Sequence, residues 1–589
     1  MASGDADRIR RAGALAAAAV TYFLASILLT WPLVLHVQAW TFADYGDARG
    51  WAWNVWSSSH AGIDPASMLA APFGIHAPQV IHQPIADGIA DFAARFAGEI
   101  AAINLVVLLG FPVTALVTYW VLDRLLADRG AAFIGGLAFG FCPAAVMHTL
   151  AGHGSLAWNA FLVLYLYALL HNRASRSVAS AFLVAAAFAA IVFNVLYFGY
   201  FAAYLGAGFV AYDFAVREKG DEGRMLKNYL VCAGFVLLLV LPVEWGAVRE
   251  QLTQSHEAIA KAGHLRDVGQ IDIYGSRIWN YLVPSIDHPV LGRFVEPFVR
   301  DRLFGSNAFE QTLYLGVVPL ALLVAGIAMC VRGTFERRRR RIFLLFACGA
   351  LGMWMLSLPG HVVDGLPGPS YFAYDLAPMF RVYARAGIFV MMFVACAAAV
   401  VLAQWRAVLR PARYWALFAA AGAVLAFDFW SVPPYRAKPI EVPAVYRWLA
   451  AQGGDFIVAE YPMVPFDVAT FYTYPYWQRI HGKRLVNGAE PNNPHGWQLY
   501  EHVRDPSTPG AARALAAAGV RYVIVHESMF AEGPIPAAIK RYYAPWRAAQ
   551  TVDDGVVPPL PASFWLCRSF GTDLVFTLDA HACAMQGHE

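Results

Sequence analysis

The chain has 589 residues, of which 59% are hydrophobic and 14% charged, with 44 basic and 41 acidic side chains for a formal net charge of +3. A mean hydropathy of +0.47 lies far outside the range of a soluble globular enzyme and implies a multi-span membrane protein. The small net charge, with no basic stripe or nucleic-acid motif, argues against a nucleic-acid partner.

The segment MASGDADRIRR precedes a first apolar run from Gly13 to about Leu35, and no small-residue cleavage motif follows. It reads as a retained helix and not as a signal peptide. About 20 apolar residues cross roughly 30 Å of hydrocarbon. By that measure eleven spans are expected, at 13–35, 100–122, 131–147, 156–171, 178–193, 197–213, 228–245, 314–331, 342–358, 386–403 and 414–431. With the amino terminus inside, Arg8, Arg10 and Arg11, then Arg124 and Arg129, Arg173 and Arg176, Arg217, Lys219, Arg224 and Lys227, the arginine block 337–341 with Arg332, and Arg406, Arg410 and Arg413 all fall on one side. The carboxyl terminus then lies outside, and the arginine block reads as a topology anchor beside anionic lipid heads.

Three larger pieces are expected outside, at 36–99, 246–313 and 432–589, with a smaller loop at 359–385. In the first, TFADYGDARGWAWNVW sets Asp44 and Asp47 just beyond the membrane. Trp53 and Trp56 share a helical face and Trp51 sits off it, so the cluster reads as a membrane-surface helix in preference to an aromatic sugar platform. APFGIHAPQVIHQPIAD supplies His76 and His82, and the turn MHTLAGHGSLAWN supplies His148 and His153. Glu310 and Gln311 precede YLG at 314–316. PMFRVYARAG carries Arg381 and Arg385, four apart and therefore on one face of a helix, with the planar forks that suit phosphate oxygens. The histidines allow three readings: metal ligands together with Asp44 or Asp47, polar contacts to substrate, or satisfied structural side chains.

Beyond the proline-rich exit SVPPYRAKPIEVP, DFIVAEYP (455–462) and VRYVIVHES (520–528) read as buried strands, and STPGAARALAAAG (507–519) as a capped helix closed by Gly519. A small α/β domain is expected there, without GxGxxG, Walker, HExxH or GxSxG motifs. The aromatic-rich stretch 461–483 is a candidate for carbohydrate contact or an ordinary core. Five cysteines, Cys142, Cys232, Cys330, Cys348 and Cys396, lie in or at apolar runs. Cys567 and Cys583 are a candidate disulfide on an oxidising side.

A first span with a basic inner flank and an aspartate in the first outer loop resembles the GT-C class of integral-membrane glycosyltransferases. The segments ADYGDARGWAWN, FGFCPAAVMHTLAGHGSLAWNAF, EQTLYLGVVPL, PMFRVYARAG and HGKRLVNGAE resemble a bacterial family of GT-C-like proteins related to the YfhO-type membrane proteins. The resemblance implies a polytopic α-helical membrane protein of about 11 transmembrane helices with an extracytoplasmic carboxyl-terminal α/β domain, divided as 1–431 and 432–589. It implies a bacterial inner-membrane location with a cytoplasmic amino terminus. The implied activity is an inverting transfer of a sugar from a polyprenyl-phosphate donor to an extracytoplasmic lipid, glycan or protein acceptor.

By the same resemblance the catalytic acid is Asp47, with Asp44 the nearest alternative; two residues separate them, where several GT-C branches have adjacent acids. Arg381 and Arg385 match a P-x-F-R-x-x-x-R pattern for which lipid-phosphate binding is implied, and His76, His82, His148, His153 and Glu310 join them as substrate-binding candidates. A carboxylate that takes the acceptor hydroxyl's proton as it attacks the anomeric carbon predicts inversion. The one cofactor candidate is a divalent metal, Mg or Mn, on Asp44, Asp47 and His148. A lipid or glycan transporter is a rival reading, for which the expected internal repeats are absent. A noncatalytic envelope assembly protein is another, and it would tolerate loss of both aspartates.

Overall fold

The structure is a computed structural model that describes residues 2–43, 46–60, 62–75, 83–217, 220–253, 267–363, 366–431, 438–464, 470–490, 493–532 and 557–579. Among these residues six helices are long and apolar enough to cross a membrane: Arg11–Thr30, Glu99–Leu126, Arg129–Thr149, Glu222–Gly246, Arg337–Ser357 and Tyr383–Val408. The eleven spans predicted from apolar runs are thereby corrected to six. Each of the other five runs is helical but falls short. Ala160–Ser175, Val178–Asn194 and Val317–Val331 have only 16, 17 and 15 residues. Run 156–171 had absorbed the 3-10 turn Gly154–Ala157, and run 314–331 had absorbed an irregular segment that ends at Gly316. Leu196–Ala215 and Pro411–Asp428 have the length, but tyrosines and charged residues dilute their apolar character. The loop-by-loop charge alternation depended on the larger count and falls with it.

Burial separates centre from periphery. Tyr383–Val408 is enclosed on every side, whereas Arg11–Thr30 and Glu222–Gly246 turn most of their surface outward. Leu24, Leu28, Leu230 and Leu238 stand exposed there, a surface that suits hydrocarbon and not water. Small residues bring the inner helices close, as membrane bundles require. An ideal Cβ on Gly140 would lie 2.5 Å from that of Ala115, so only glycine lets the helix Arg129–Gly140 approach Glu99–Leu126 at this point. Past a break at Phe141 and Cys142, Pro143 starts a short helix, Pro143–Leu150.

The strands are β1 (Trp40–Thr41), β2 (His361–Val363), β3 (Leu366–Pro367), β4 (Lys438–Pro439), β5 (Ile457–Tyr461), β6 (Arg484–Leu485), β7 (Val520–His526), β8 (Trp565–Phe570) and β9 (Asp573–Thr577). The carboxyl-terminal sheet has the order β6-β5-β7-β9-β8. Its first three strands run parallel, and β9 and β8 add antiparallel. All five residues of β5 are buried, as expected of a parallel strand covered on both faces. The predicted strands at 455–462 and 520–528 correspond to β5 and β7. The predicted helix is Pro509–Ala517, followed by Gly519 at φ 77°.

Two features join this sheet to the membrane helices. β1 pairs antiparallel with β4, so the chain leaving the first helix holds the chain leaving the last. The helix Asp47–Ser59 packs against Thr473–His481 of the carboxyl-terminal region and against Pro84–Ala97. Its tryptophans do not lie on the bilayer surface, which corrects the expectation for WAWNVW: Trp51, Trp53 and Trp56 are at most 8% exposed. Trp53 Nε1 donates to Gln478 Oε1 at 2.7 Å and Trp51 Nε1 to Asp87 Oδ1 at 2.9 Å. Cys567 is disulfide-bonded, while Cys583 lies outside the described residues. Cys142, Cys232 and Cys396 are buried free thiols, but Cys348 is exposed, unlike the small buried hydrophobe expected.

Candidate active site

Asp47 is the first residue of the helix Asp47–Ser59, behind Gly46, whose φ of 46° makes the turn into it. The partial positive charge of a helix start favours a carboxylate there. Asp47 Oδ2 lies 2.7 Å from His153 Nε2. His153 is placed by the turn after Pro143–Leu150, where its backbone N–H donates to the His148 carbonyl at 3.0 Å. Trp51 holds turn and helix together: an ideal Cβ on Gly154 would lie 2.4 Å from its ring. The glycine after His153 is therefore the space into which Trp51 fits.

The second half of the site is an ion pair. Glu310, in the short helix Ala308–Gln311 capped by Asn307, accepts from Arg385 Nε at 3.1 Å and Nη2 at 2.5 Å. Arg385 sits in the 3-10 turn Tyr383–Ala386 that leads into the enclosed helix, and its guanidinium stacks over Tyr197 at 4.9 Å. His148 Nε2 is 3.6 Å from Glu310 Oε2, within ion-pair range but too long for a hydrogen bond.

The electrostatics follow from these neighbours. Burial works to raise the Glu310 carboxyl, but the Arg385 charge, the His148 ring and the Arg385 hydrogen bonds outweigh it and hold it down to about 2. Burial opposes ionisation of Asp47 as well, and the His153 hydrogen bond, followed by the His153 and Arg385 charges, brings it below the ordinary carboxylate value. Both acids are ionised at neutral pH. His148, His153 and Glu310 each bring one ligand atom within 4.8 Å of the others. Nδ1 of both histidines is buried without a hydrogen-bond partner, a costly arrangement that leaves two imidazole lone pairs or N–H groups for something else.

The structure thus brings together Asp47, His148, His153, Glu310 and Arg385 from four distant parts of the chain. Arg381 is adjacent but differently engaged. Its backbone N–H donates to the Tyr197 hydroxyl at 3.3 Å, while its guanidinium reaches Gln270 Oε1 at 2.8 Å and stacks over Tyr274. Residues 378–382 are not helical, so the helical face expected to carry both arginines does not form. Asp44, His76 and His82 lie outside the described residues. Sequence reading missed Tyr197 and also Tyr472, whose hydroxyl is raised by burial and then by the charges of Asp47 and Glu490. The aromatic richness of 461–483 was the only signal for it.

This arrangement of helices with an appended sheet is similar in fold to solved membrane proteins. Among solved structures, arabinofuranosyltransferase AftD from Mycobacteria matches with a TM-score of 0.53 at 15% identity, over 96% of this chain and 40% of that one. The chain therefore spans about two fifths of the length of that structure. Archaeal oligosaccharyltransferase AglB from Archaeoglobus fulgidus, in complex with an inhibitory peptide and a dolichol-phosphate, gives 0.46 at 12% identity over 87% of this chain and 69% of that one. ArnT from Cupriavidus metallidurans, bound to undecaprenyl phosphate, gives 0.41 at 13% identity over 96% and 98%. At these identities the likeness concerns the fold alone, and only the first of the three scores is high enough to argue from. No protein-family model matches the chain, and no curated protein does. Nothing in these comparisons supports the closer kinship with YfhO-type proteins.

Proposed function

We propose that the chain is an inverting glycosyltransferase that takes a sugar from a polyprenyl-phosphate donor in the bacterial inner membrane and transfers it to an acceptor on the extracytoplasmic side, where the carboxyl-terminal domain lies. The observation that carries the reading is the juxtaposition of Asp47, ionised and partly exposed at a helix start, with Arg385 in the same centre. Asp47 accepts the proton of the acceptor hydroxyl as that oxygen attacks the anomeric carbon. His153 fixes the carboxylate and shares the proton through the 2.7 Å bond. The glycosyl–phosphate bond breaks on the opposite face, which gives inversion.

The departing lipid phosphate needs positive charge more than a proton. Arg385 supplies it: Nε and Nη2 are held by Glu310, and Nη1 has no protein partner among the described residues. The space beside Arg385 and His148 is lined otherwise by apolar side chains, including Leu156, Phe198, Leu313 and Ile388. Arg381, whose guanidinium is held by Gln270 and Tyr274, has no part in this reading.

A divalent cation fits the same centre, because His148, His153 and Glu310 bring one ligand atom each within 4.8 Å of the others, a donor set of two imidazoles and one carboxylate. That chemistry suits manganese or zinc better than magnesium. When bound, such an ion offsets charge on the leaving phosphate.

The deciding experiment is radiolabelled sugar transfer by purified full-length protein from a panel of polyprenyl-phosphate sugars, with and without chelator. Asp47→Asn is expected to lower kcat by about 10²- to 10⁴-fold, the usual contribution of a general base, in a protein that still folds. Unchanged transfer in that variant would exclude the mechanism.

A further inference from the structure

The helices Val178–Asn194 and Leu196–Ala215 are joined by a single extended residue, Val195. Its N–H donates to the Ile191 carbonyl at 2.9 Å and its carbonyl accepts from the Phe198 N–H at 2.9 Å, so each helix ends in a closed turn. An ideal Cβ on Gly199 would lie 2.6 Å from Val192 Cγ2. The facing turns are in contact, and a one-residue link leaves Asn194 and Tyr197 at a fixed separation.

The two side chains that bracket this link go to opposite halves of the centre. Asn194, 2% exposed, directs its amide at the turn after His153: Nδ2 donates to the carbonyls of Ser155 and Trp158, each at 3.2 Å. From the other side Thr114 Oγ1 donates to the Ala157 carbonyl at 2.8 Å, so the turn is held between the helix Glu99–Leu126 and Asn194. Tyr197 meets the segment 380–385 at three points. Its hydroxyl accepts from the Arg381 N–H at 3.3 Å, its ring meets Phe380 edge-on with centroids 4.9 Å apart, and the Arg385 guanidinium lies over the same ring at 4.9 Å. A guanidinium over an aromatic face is held by the ring's quadrupole, which fixes the plane of its fork. Phe198, the next residue, lines the space beside Arg385 and His148.

Displacement at a sugar carbon needs the base and the cation on the leaving phosphate at a set separation, and a misplacement of about 1 Å costs roughly 10²-fold in rate. His148 and Glu310, where the two halves approach, are 3.6 Å apart, too far for a hydrogen bond. The junction bonds to both halves. We propose that Asn194 and Tyr197 are positioning residues, a brace of fixed length between the turn that carries His153 and the arginine that meets the donor phosphate. The inference rests on the transferase reading for what Asp47 and Arg385 do, and not for the brace itself.

The test uses full-length protein in detergent. Farnesyl phosphate binding reports on the Arg385 side, and the imidazole resonance of His153, assigned with His153→Gln in histidine-labelled protein, reports on the other. Tyr197→Leu, or Tyr197→Met if the first does not fold, is expected to weaken farnesyl phosphate binding and raise the donor KM tenfold or more, with the His153 resonance in place. Tyr197→Phe keeps the ring and should stay within threefold of wild type. Asn194→Ala should move the His153 resonance and lower kcat tenfold or more, with farnesyl phosphate binding within threefold; Asn194→Ser, which keeps one donor, should fall between. A merely structural role would lower the folded fraction without splitting KM from kcat. The brace is refuted if wild type binds no farnesyl phosphate, if Tyr197→Leu binds it within threefold of wild type, if Tyr197→Phe loses as much as Tyr197→Leu, or if Asn194→Ala leaves His153 unmoved. The expected binding and resonance pattern, without transfer from any polyprenyl-phosphate donor, would uphold the brace and refute the transferase reading. Transfer by wild type with unsplit kinetics in the variants would do the reverse.

Discussion

Arg385 and Glu310 illustrate how a single side chain controls the energetics of this centre. Both are largely buried, and removing one partner of such a pair leaves an uncompensated charge at a cost of roughly 3–5 kcal/mol. Arg385→Ala should therefore lower stability by about that amount in denaturant titration, and the double variant with Glu310→Ala should recover much of it. The pair's pH behaviour follows from the depressed carboxyl. Its folded value, about 2, is below the ordinary value near 4.3, so its stabilisation is fully present above that value and is lost as pH falls through about 2. Between pH 5 and 8 the pair is thus expected to contribute no slope, and any activity limb there belongs to another group. At the same scale, Gly154→Ala would drive a methyl group into Trp51. The outcome expected is a fall in kcat with little change in melting temperature, because the turn that carries His153 is what must move.

The elements show what was legible in the sequence and what was not. β5 and β7 were readable because they are continuous apolar runs bounded by turn residues. β6 was not, having two residues, and β8 was not because most of its side chains are exposed. The pattern WAWNVW was correctly assigned to a helix, but tryptophans three apart look the same whether their face meets lipid headgroups or another protein layer. Only tertiary structure separates the two, and here the other layer lies more than 400 residues away in the chain. Trp53→Phe would strand the buried Gln478 Oε1 and is expected to cost about 1–3 kcal/mol, measurable as a lower unfolding midpoint with far-UV ellipticity unchanged.

The sheet carries a second charged group that sequence periodicity hid. His526, the last residue of β7, lies 2.9 Å from both Glu460 Oε2 and Asp573 Oδ1. Burial works to lower its value, yet the Asp573 and Glu460 hydrogen bonds raise it to about 9. A folded value above the ordinary 6.5 means the bridge stabilises fully below 6.5 and is lost as pH rises through 9. The melting temperature is expected to fall from pH 7 to pH 9.5 and that fall to flatten in His526→Gln.

At the scale of the whole molecule, apolar run length overstated the number of spans because interior helices of a bundle can be short or rich in tyrosine when their neighbours shield them. In the candidate site, Asp47, His148, His153, Glu310 and Arg385 were each singled out by residue type and position, and the structure brings them together. What could not be read was their pairing, since hydrogen bonds such as Arg385 to Glu310 depend on the packing of helices and not on spacing. Thiol chemistry checks the architecture. With five free cysteines and Cys567 oxidised, denatured protein should take up five maleimide labels without reductant and all seven with it.

The clamp between Trp53 and Gln478 spans 425 positions of the chain, and the centre beside it draws on residues from both ends. Such a centre has no partial form. During synthesis the early helices enter the bilayer while Arg385, which completes the buried pair with Glu310, and Gln478, which closes the clamp, have not yet been translated. Completion of the polypeptide is itself what assembles the centre: the first loop stays without its later partners until the carboxyl-terminal region has packed onto the helix that starts at Asp47.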